Sequence, residues 1–179
     1  MSAAALTEEP DFRRGSQPER ALQAAIVAEI AALLAKERQA AGSKVEDSFV
    51  LQGFGLDIGV FTRCGSQSAA RFLEVKAFVG SRAGGVGFGT RTGGSQVDLL
   101  MLSDAQLRIA DALCAWIVAD GTRPRGSRRF ALITSTQART AAMGRVARGK
   151  QNNFSLSKLA HHFGTWDELS LGLEGFLIS

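Results

Sequence analysis

The sequence predicts an α/β domain with a central mixed β-sheet flanked by helices. Three observations predict it: an amphipathic stretch near the N-terminus with helical spacing, two β-prone runs rich in Val, Phe, Leu and Ile, and further helix and strand patterns after a glycine-rich break. At 179 residues the chain suits one domain with a proper core. Residues 1–15 read as a flexible N-terminal tail and 16–179 as a single domain, interrupted by a Gly-rich loop over 80–95.

The elements follow in order. Ser16, Gln17, Pro18 and Glu19 read as a helix start, with Ser16 as N-cap, Glu19 closing a capping box and Pro in the first turn. The helix is expected to run to about Ala40, with Leu22, Ile26, Ile30, Leu33 and Leu34 as its buried stripe and Glu29 at the stripe's edge. "DSFVLQGFGLDIGVFTR" predicts one strand or a tight hairpin, and "RFLEVKAFV" the next strand. Seven glycines lie between Gly80 and Gly94, which predicts a long mobile loop. "VDLLML" fits either a strand or an early helical turn. Ser103 and Asp104 are expected to cap a helix running through "AQLRIADALCAWIVAD" to Gly121. "FALITS" reads as a strand, "TQARTAAMGRVARGK" as a basic helical stretch, and "WDELSLGLEGFLI" as the segment that closes the domain.

Composition excludes several classes. No run reaches the roughly 18 apolar residues of a membrane span, and the N-terminus lacks the apolar core of a secretory signal. Cys64 and Cys114 lie far apart without metal-type spacing, so free thiols in a reducing cytoplasm are expected. The net charge is only +4, but from Val79 to Thr165 there are twelve Lys or Arg against four Asp. That asymmetry suits a polyanionic partner.

The chemistry concentrates in "LDIG" and "LEVKAF". Side chains alternate along a strand, so Glu74 and Lys76 share a face with Phe72 and Phe78. Asp57 and Gly59 share the other strand's corresponding face. If the two strands pair with these faces aligned, Asp57 and Glu74 meet as cross-strand neighbours, and their repulsion is relieved by a hard divalent cation such as Mg²⁺ or Mn²⁺. "GVGFG" lacks the Gly-Lys-Ser/Thr ending of a nucleotide-binding loop. The loop instead reads as a substrate clamp in which Arg82 and Arg91 contact a phosphate backbone, with Gln96 able to reach a scissile phosphate or a base edge. Arg145, Arg148 and Lys150, together with Arg123, Arg125, Arg128, Arg129 and Arg139, are further phosphate-contact candidates. His161 and His162 point apart on a helix and lack a third ligand, and Trp116 and Trp166 read as core.

Asp57 in "LDIG" and the Glu74-x-Lys76 triplet, preceded by a helix carrying Glu29, resemble the PD-(D/E)XK nuclease superfamily with its restriction-endonuclease-like fold. The likeness covers roughly Pro18 to Ser135, and it departs at Leu56, where the family usually has Pro. The resemblance implies a nuclease, with DNA as the expected nucleic acid, in restriction, repair or phage defence. It implies that Asp57, Glu74 and the Val75 carbonyl hold Mg²⁺, that Lys76 orients the attacking water, and that Glu29 reaches in as an outer or second-metal ligand. It also implies a homodimer, for which the last helix offers Phe and Leu. The alternative reading is a non-catalytic nucleic-acid-binding module of the same fold.

Overall fold

The computed structural model describes residues 5–13, 17–54, 56–80, 85–88 and 95–178. Arg82 and Arg91 lie outside them, as does most of the Gly-rich stretch. Helix α1 (Pro18–Gln39) comes first, followed by the antiparallel strands β1 (Asp47–Phe54), β2 (Leu56–Cys64) and β3 (Gln67–Phe78). Strand β4 (Gly85–Phe88), helix α2 (Ser95–Leu100) and helix α3 (Asp104–Ala110) precede β5 (Cys114–Asp120). Strand β6 (Phe130–Thr134), helix α4 (Ser135–Ala141), strand β7 (Asn152–Ser155) and helix α5 (Trp166–Ile178) complete the chain.

The main sheet is five-stranded and mixed, in the order β1-β2-β3-β5-β6, with β3 and β5 parallel and every other pair antiparallel. Strands β4 and β7 form a small second sheet. One face of the main sheet packs Ile58, Val60, Leu73, Val75, Ile117 and Ala119 against Leu22, Ile26 and Ile30 of α1 and Leu169, Leu173 and Leu177 of α5. The other face sets Trp116, Val118, Ala131 and Ile133 against Val97 and Leu100 of α2, Ala138 of α4, and Phe88 and Phe154 of the small sheet. This second cover lies over β5 and β6, and the part of the same face on β1 and β2 keeps Phe49 and Leu51 exposed at 56% and 40%.

Several elements differ from the sequence expectation. The N-cap of α1 is Gln17, with no side-chain cap bond, rather than Ser16. The long helix expected from Asp104 ends at Ala110, and "CAWIVAD" is instead the strand β5. The reason is burial on both faces: a strand flanked by β3 and β6 has no polar side to show, so it loses the alternation that marks a strand and imitates a buried helix. At its end Gly121 approaches β3 so closely that a Cβ would lie 2.7 Å from the Phe78 carbonyl oxygen. The basic helical stretch shrinks to the seven residues of α4, capped by Thr134 and Gln137. Residues 5–13, expected within a flexible tail, lie against the domain, with Phe12 fully buried.

Candidate functional site

Strand β3 lies between β2 and β5, which explains how "EVK" comes to be buried. Ile58 opposes Leu73 in the β2–β3 register, and one step further sets Asp57 opposite Glu74. Asp57 Oδ2 accepts a hydrogen bond from the Val75 backbone N–H at 2.7 Å, which fastens the side chain to the partner strand. Gly59, next on the same face, leaves space that a Cβ would fill at 3.1 Å from the Phe61 ring. The three residues singled out on these strands converge. Lys76 Nζ lies 2.6 Å from Glu74 Oε1 and 3.9 Å from Asp57 Oδ2.

A third carboxylate completes the group, and it is not Glu29. Glu19, in the first turn of α1, places Oε1 3.2 Å from Lys76 Nζ. Glu29 is ten residues further along the same helix, about 15 Å along its axis, and is fully buried elsewhere. Its Oε1 accepts from the Leu6 N–H at 2.9 Å and from the Ser170 hydroxyl, and its Oε2 from the Thr7 N–H at 2.7 Å and the Thr7 hydroxyl at 2.5 Å. Glu29 therefore pins the N-terminal segment to α1 and α5, and the ligand role expected for it is corrected to a structural one. The sequence contained one signal for Glu19: an acid in the opening turn of a helix can project past the helix end toward the edge of a strand.

Gln96, on α2, donates from Nε2 to Glu74 Oε1 at 2.7 Å, so it holds the carboxylate instead of projecting toward a base or phosphate. Glu74 Oε1 thus has two donors, while Glu74 Oε2 is buried without a hydrogen-bond partner among the described residues. A buried carboxylate oxygen left bare is energetically costly. Burial pushes the Glu74 carboxyl up to about 7, with the Asp57 charge adding to the rise and Lys76 opposing it. Burial alone lowers the pKa of the Lys76 ammonium, but Glu74, Glu19 and Asp57 together outweigh it and raise the pKa. The two shifts describe one imbalance: three acids share one base, so the lysine keeps its proton and the most buried acid gives up its charge most readily. Asp57 and Glu19, with side-chain exposures of 21% and 40%, form the solvent side of the cluster, while Glu74 and Lys76 are at 1% and 6%.

Among the described residues no three His, Cys, Asp or Glu side chains stand as a ready metal cage. The donor set nevertheless suits a hard cation, since every acceptor is a carboxylate oxygen and Glu74 Oε2 is unsatisfied. Among the described residues a hollow of about 340 Å³ opens elsewhere, between β2, the start of β3 and the end of α5. Convergence of charge marks this site.

The basic residues divide into two groups. Arg129 is fully buried, clamped by Glu9 Oε1 at 2.5 Å and stacked over the Phe12 ring at 4.8 Å, so it cannot meet a phosphate. Arg125 pairs with Glu8 and Arg128 with Glu168, and Arg123 joins Asp120 at 3.0 Å. Arg145, Arg148 and Lys150 are exposed on the segment between α4 and β7. Arg148 reaches Asp98 at 2.7 Å, which ties this segment to α2, the helix that carries Gln96. Trp116 is core as expected, with its indole N–H on the Ser135 hydroxyl at 3.1 Å.

No helix among the described residues is long and apolar enough to cross a membrane. No protein-family model matches the chain, and no curated protein matches it either.

Proposed function

We propose that this protein is a divalent-metal-dependent nuclease of the PD-(D/E)XK kind, with DNA as substrate and Mg²⁺ or Mn²⁺ as cofactor. The observation that carries the reading is the meeting of Asp57, Glu74 and Glu19 at the Lys76 ammonium, with the other Glu74 oxygen buried and without a hydrogen-bond partner among the described residues. A fold gains little from burying Glu74 and Lys76 together, because desolvation offsets most of their attraction, and two further acids at the rim add to the surplus of negative charge. Such a cluster is better explained by a cation that compensates the surplus negative charge.

Asp57 and Glu74 would hold the metal, with Glu19 on the solvent side, and when bound it supplies a Lewis acid for the phosphate and a water of lowered pKa. The chain's own groups then have defined tasks. Gln96 and Lys76 fix the orientation of Glu74 by bonding its Oε1, leaving Oε2 as the available oxygen. The Val75 N–H fixes Asp57 in the same way. Lys76, kept cationic by its carboxylate neighbours, orients a water and meets the negative charge that grows on the phosphate oxygens as the bond to the nucleophile forms. Arg145, Arg148 and Lys150 supply sequence-independent backbone contacts.

One observation favours the alternative of a non-catalytic nucleic-acid-binding module: Glu74 and Lys76 are closed into a 2.6 Å ion pair with almost no exposure. Incubation of plasmid and linear DNA with Mg²⁺ or Mn²⁺ separates the two readings, using wild type, Glu74→Ala and Lys76→Ala. Cleavage by wild type alone supports the nuclease. DNA retention without cleavage, identical in all three proteins, establishes the binding module.

A further inference from the structure

The two edges of the main sheet are finished differently. At one end β6 has five residues, is bridged by Gly164 at Phe130, and lies under α5. At the other end β1 has eight residues, and among the described residues it pairs with β2 alone. An open edge offers a row of unpaired backbone N–H and C=O groups, and proteins that must stay monomeric blunt it with Lys, Pro, a bulge or a covering segment. Strand β1 has no Lys, Arg or Pro, and its register with β2 runs in step from Asp47 opposite Arg63 to Gln52 opposite Ile58.

Its side chains add to the exposure. Phe49 stacks on Phe61 of the neighbouring strand with centroids 4.7 Å apart and planes 10° apart. That distance is the spacing between strands, so the rings stand upright as a stack that steps outward across the sheet. The next step beyond Phe49 is solvent, and Leu51 is exposed beside it. Val50, on the opposite face, packs against the core formed with α1.

We propose that β1 is the interface of a homodimer, formed by antiparallel pairing of β1 with β1 of a second copy across a two-fold axis at Val50. The pairing is self-complementary in this register. Val50 meets its own copy, Phe49 meets Leu51 and Leu51 meets Phe49, which extends the aromatic stack with apolar side chains on the same face. Ser48 falls opposite Gln52, and Asp47 opposite Gly53, so no like charges oppose. A polyanion is a poorer occupant, because the charges bordering the patch are Glu46, Asp47 and Arg63, and Arg63 is already shared between the two acids at 3.3 and 4.0 Å. This interface replaces the one expected on the last helix, and it stands whether or not the carboxylate cluster cleaves DNA. The two-fold axis runs through the sheet, so both clusters face the same side of the joined sheet.

Sedimentation velocity of the full chain from about 1 to 100 µM tests the proposal. Wild type and Glu74→Ala are expected to dimerise alike, and Phe49→Lys with Leu51→Lys is expected to raise the dimer dissociation constant at least about tenfold. Both positions are exposed, so the variant should still melt in one cooperative circular dichroism transition, lowered only by loss of the Phe49–Phe61 stack. In a Cys64→Ser background, Val50→Cys is expected to form a covalent dimer on mild oxidation, because it faces its own copy, whereas Ser48→Cys is not. Three results overturn the proposal: a wild-type monomer at every concentration, a dimer indifferent to the Lys substitutions, or a monomer in which those substitutions abolish binding of a single-stranded oligonucleotide. The last result would reassign Phe49 to base stacking.

Discussion

Among the described residues two glutamates are buried, and they are treated in opposite ways. Glu29 has both oxygens satisfied by hydrogen bonds from Leu6, Thr7 and Ser170. Burial tends to raise its pKa, but those bonds prevail and hold it below the ordinary carboxylate range. Among the described residues Glu74 has one oxygen with two donors and the other with none, beside a second carboxylate and a lysine shared among three acids. The first glutamate completes a structure. The second leaves an unmet demand for positive charge, on which the proposed cation site rests.

The largest effect expected to separate the two is on activity. Glu74→Gln and Lys76→Ala should each lower Mg²⁺-dependent DNA cleavage by about 10³-fold or more. Glu29→Gln, if folded, should stay within about threefold of wild type. A plasmid-nicking time course reads both. An inactive but fully folded Glu29→Gln would break the comparison. Glu19→Gln belongs with the first group at about 10- to 100-fold, as expected of a residue that supports a metal site from its rim.

Stability should invert that ranking. Glu29→Ala strips the acceptor from four donors and is expected to cost about 2–4 kcal/mol in urea unfolding. Glu74→Gln removes a poorly compensated buried charge and should be neutral or stabilising by about 1–2 kcal/mol at pH 8 without metal. A loss at Glu74 as large as that at Glu29 would mean that Glu74 is structural after all.

The pH dependence sharpens the contrast, because the two shifts have opposite sign. The Glu74 pKa is raised from 4.5 to about 7, so the folded state holds this proton more tightly than the unfolded chain does. Its contribution is present below pH 4.5 and is lost as pH rises through about 7, amounting to about 3 kcal/mol. The Glu29 pKa is lowered, so its contribution is present above pH 4.5 and is lost as pH falls through its depressed value. Chemical denaturation in EDTA across pH 3–9 should show the first slope vanish in Glu74→Gln and the second in Glu29→Gln.

The smallest effect is the response to metal. At Mg²⁺ about tenfold above its dissociation constant, wild type should gain about 1.4 kcal/mol. Glu29→Gln should gain as much and Glu74→Gln almost nothing, as followed by thermal shift above pH 7. A gain that survives Glu74→Gln would place the cation elsewhere.

The strand pair and its shared face were legible in the sequence because strand alternation is a local property. Glu74 and Lys76 could be assigned to one side of their strand and Asp57 to one side of its own from spacing alone, and β2 and β3 pair in the register that unites them. The helix partner was not legible. Glu19 and Glu29 are both acids on α1, and which end of a helix lies over which strand end depends on packing of its whole apolar stripe. Nor could local pattern separate α3 from β5, since a central strand buried on both faces carries no alternation.

What the sequence by itself determined is thus the fold class, the apolar stripe of α1 and the face of its own strand on which each of Asp57, Glu74 and Lys76 lies, which follow from the periodicity of single elements and from their order. What only the tertiary structure decided is which carboxylates are satisfied and which are left wanting. That depends on donors far away in the chain, from Thr7 and Ser170 at Glu29 to Gln96 at Glu74. Hydrogen bonds act over about 3 Å, and only the folded chain brings such groups within that distance.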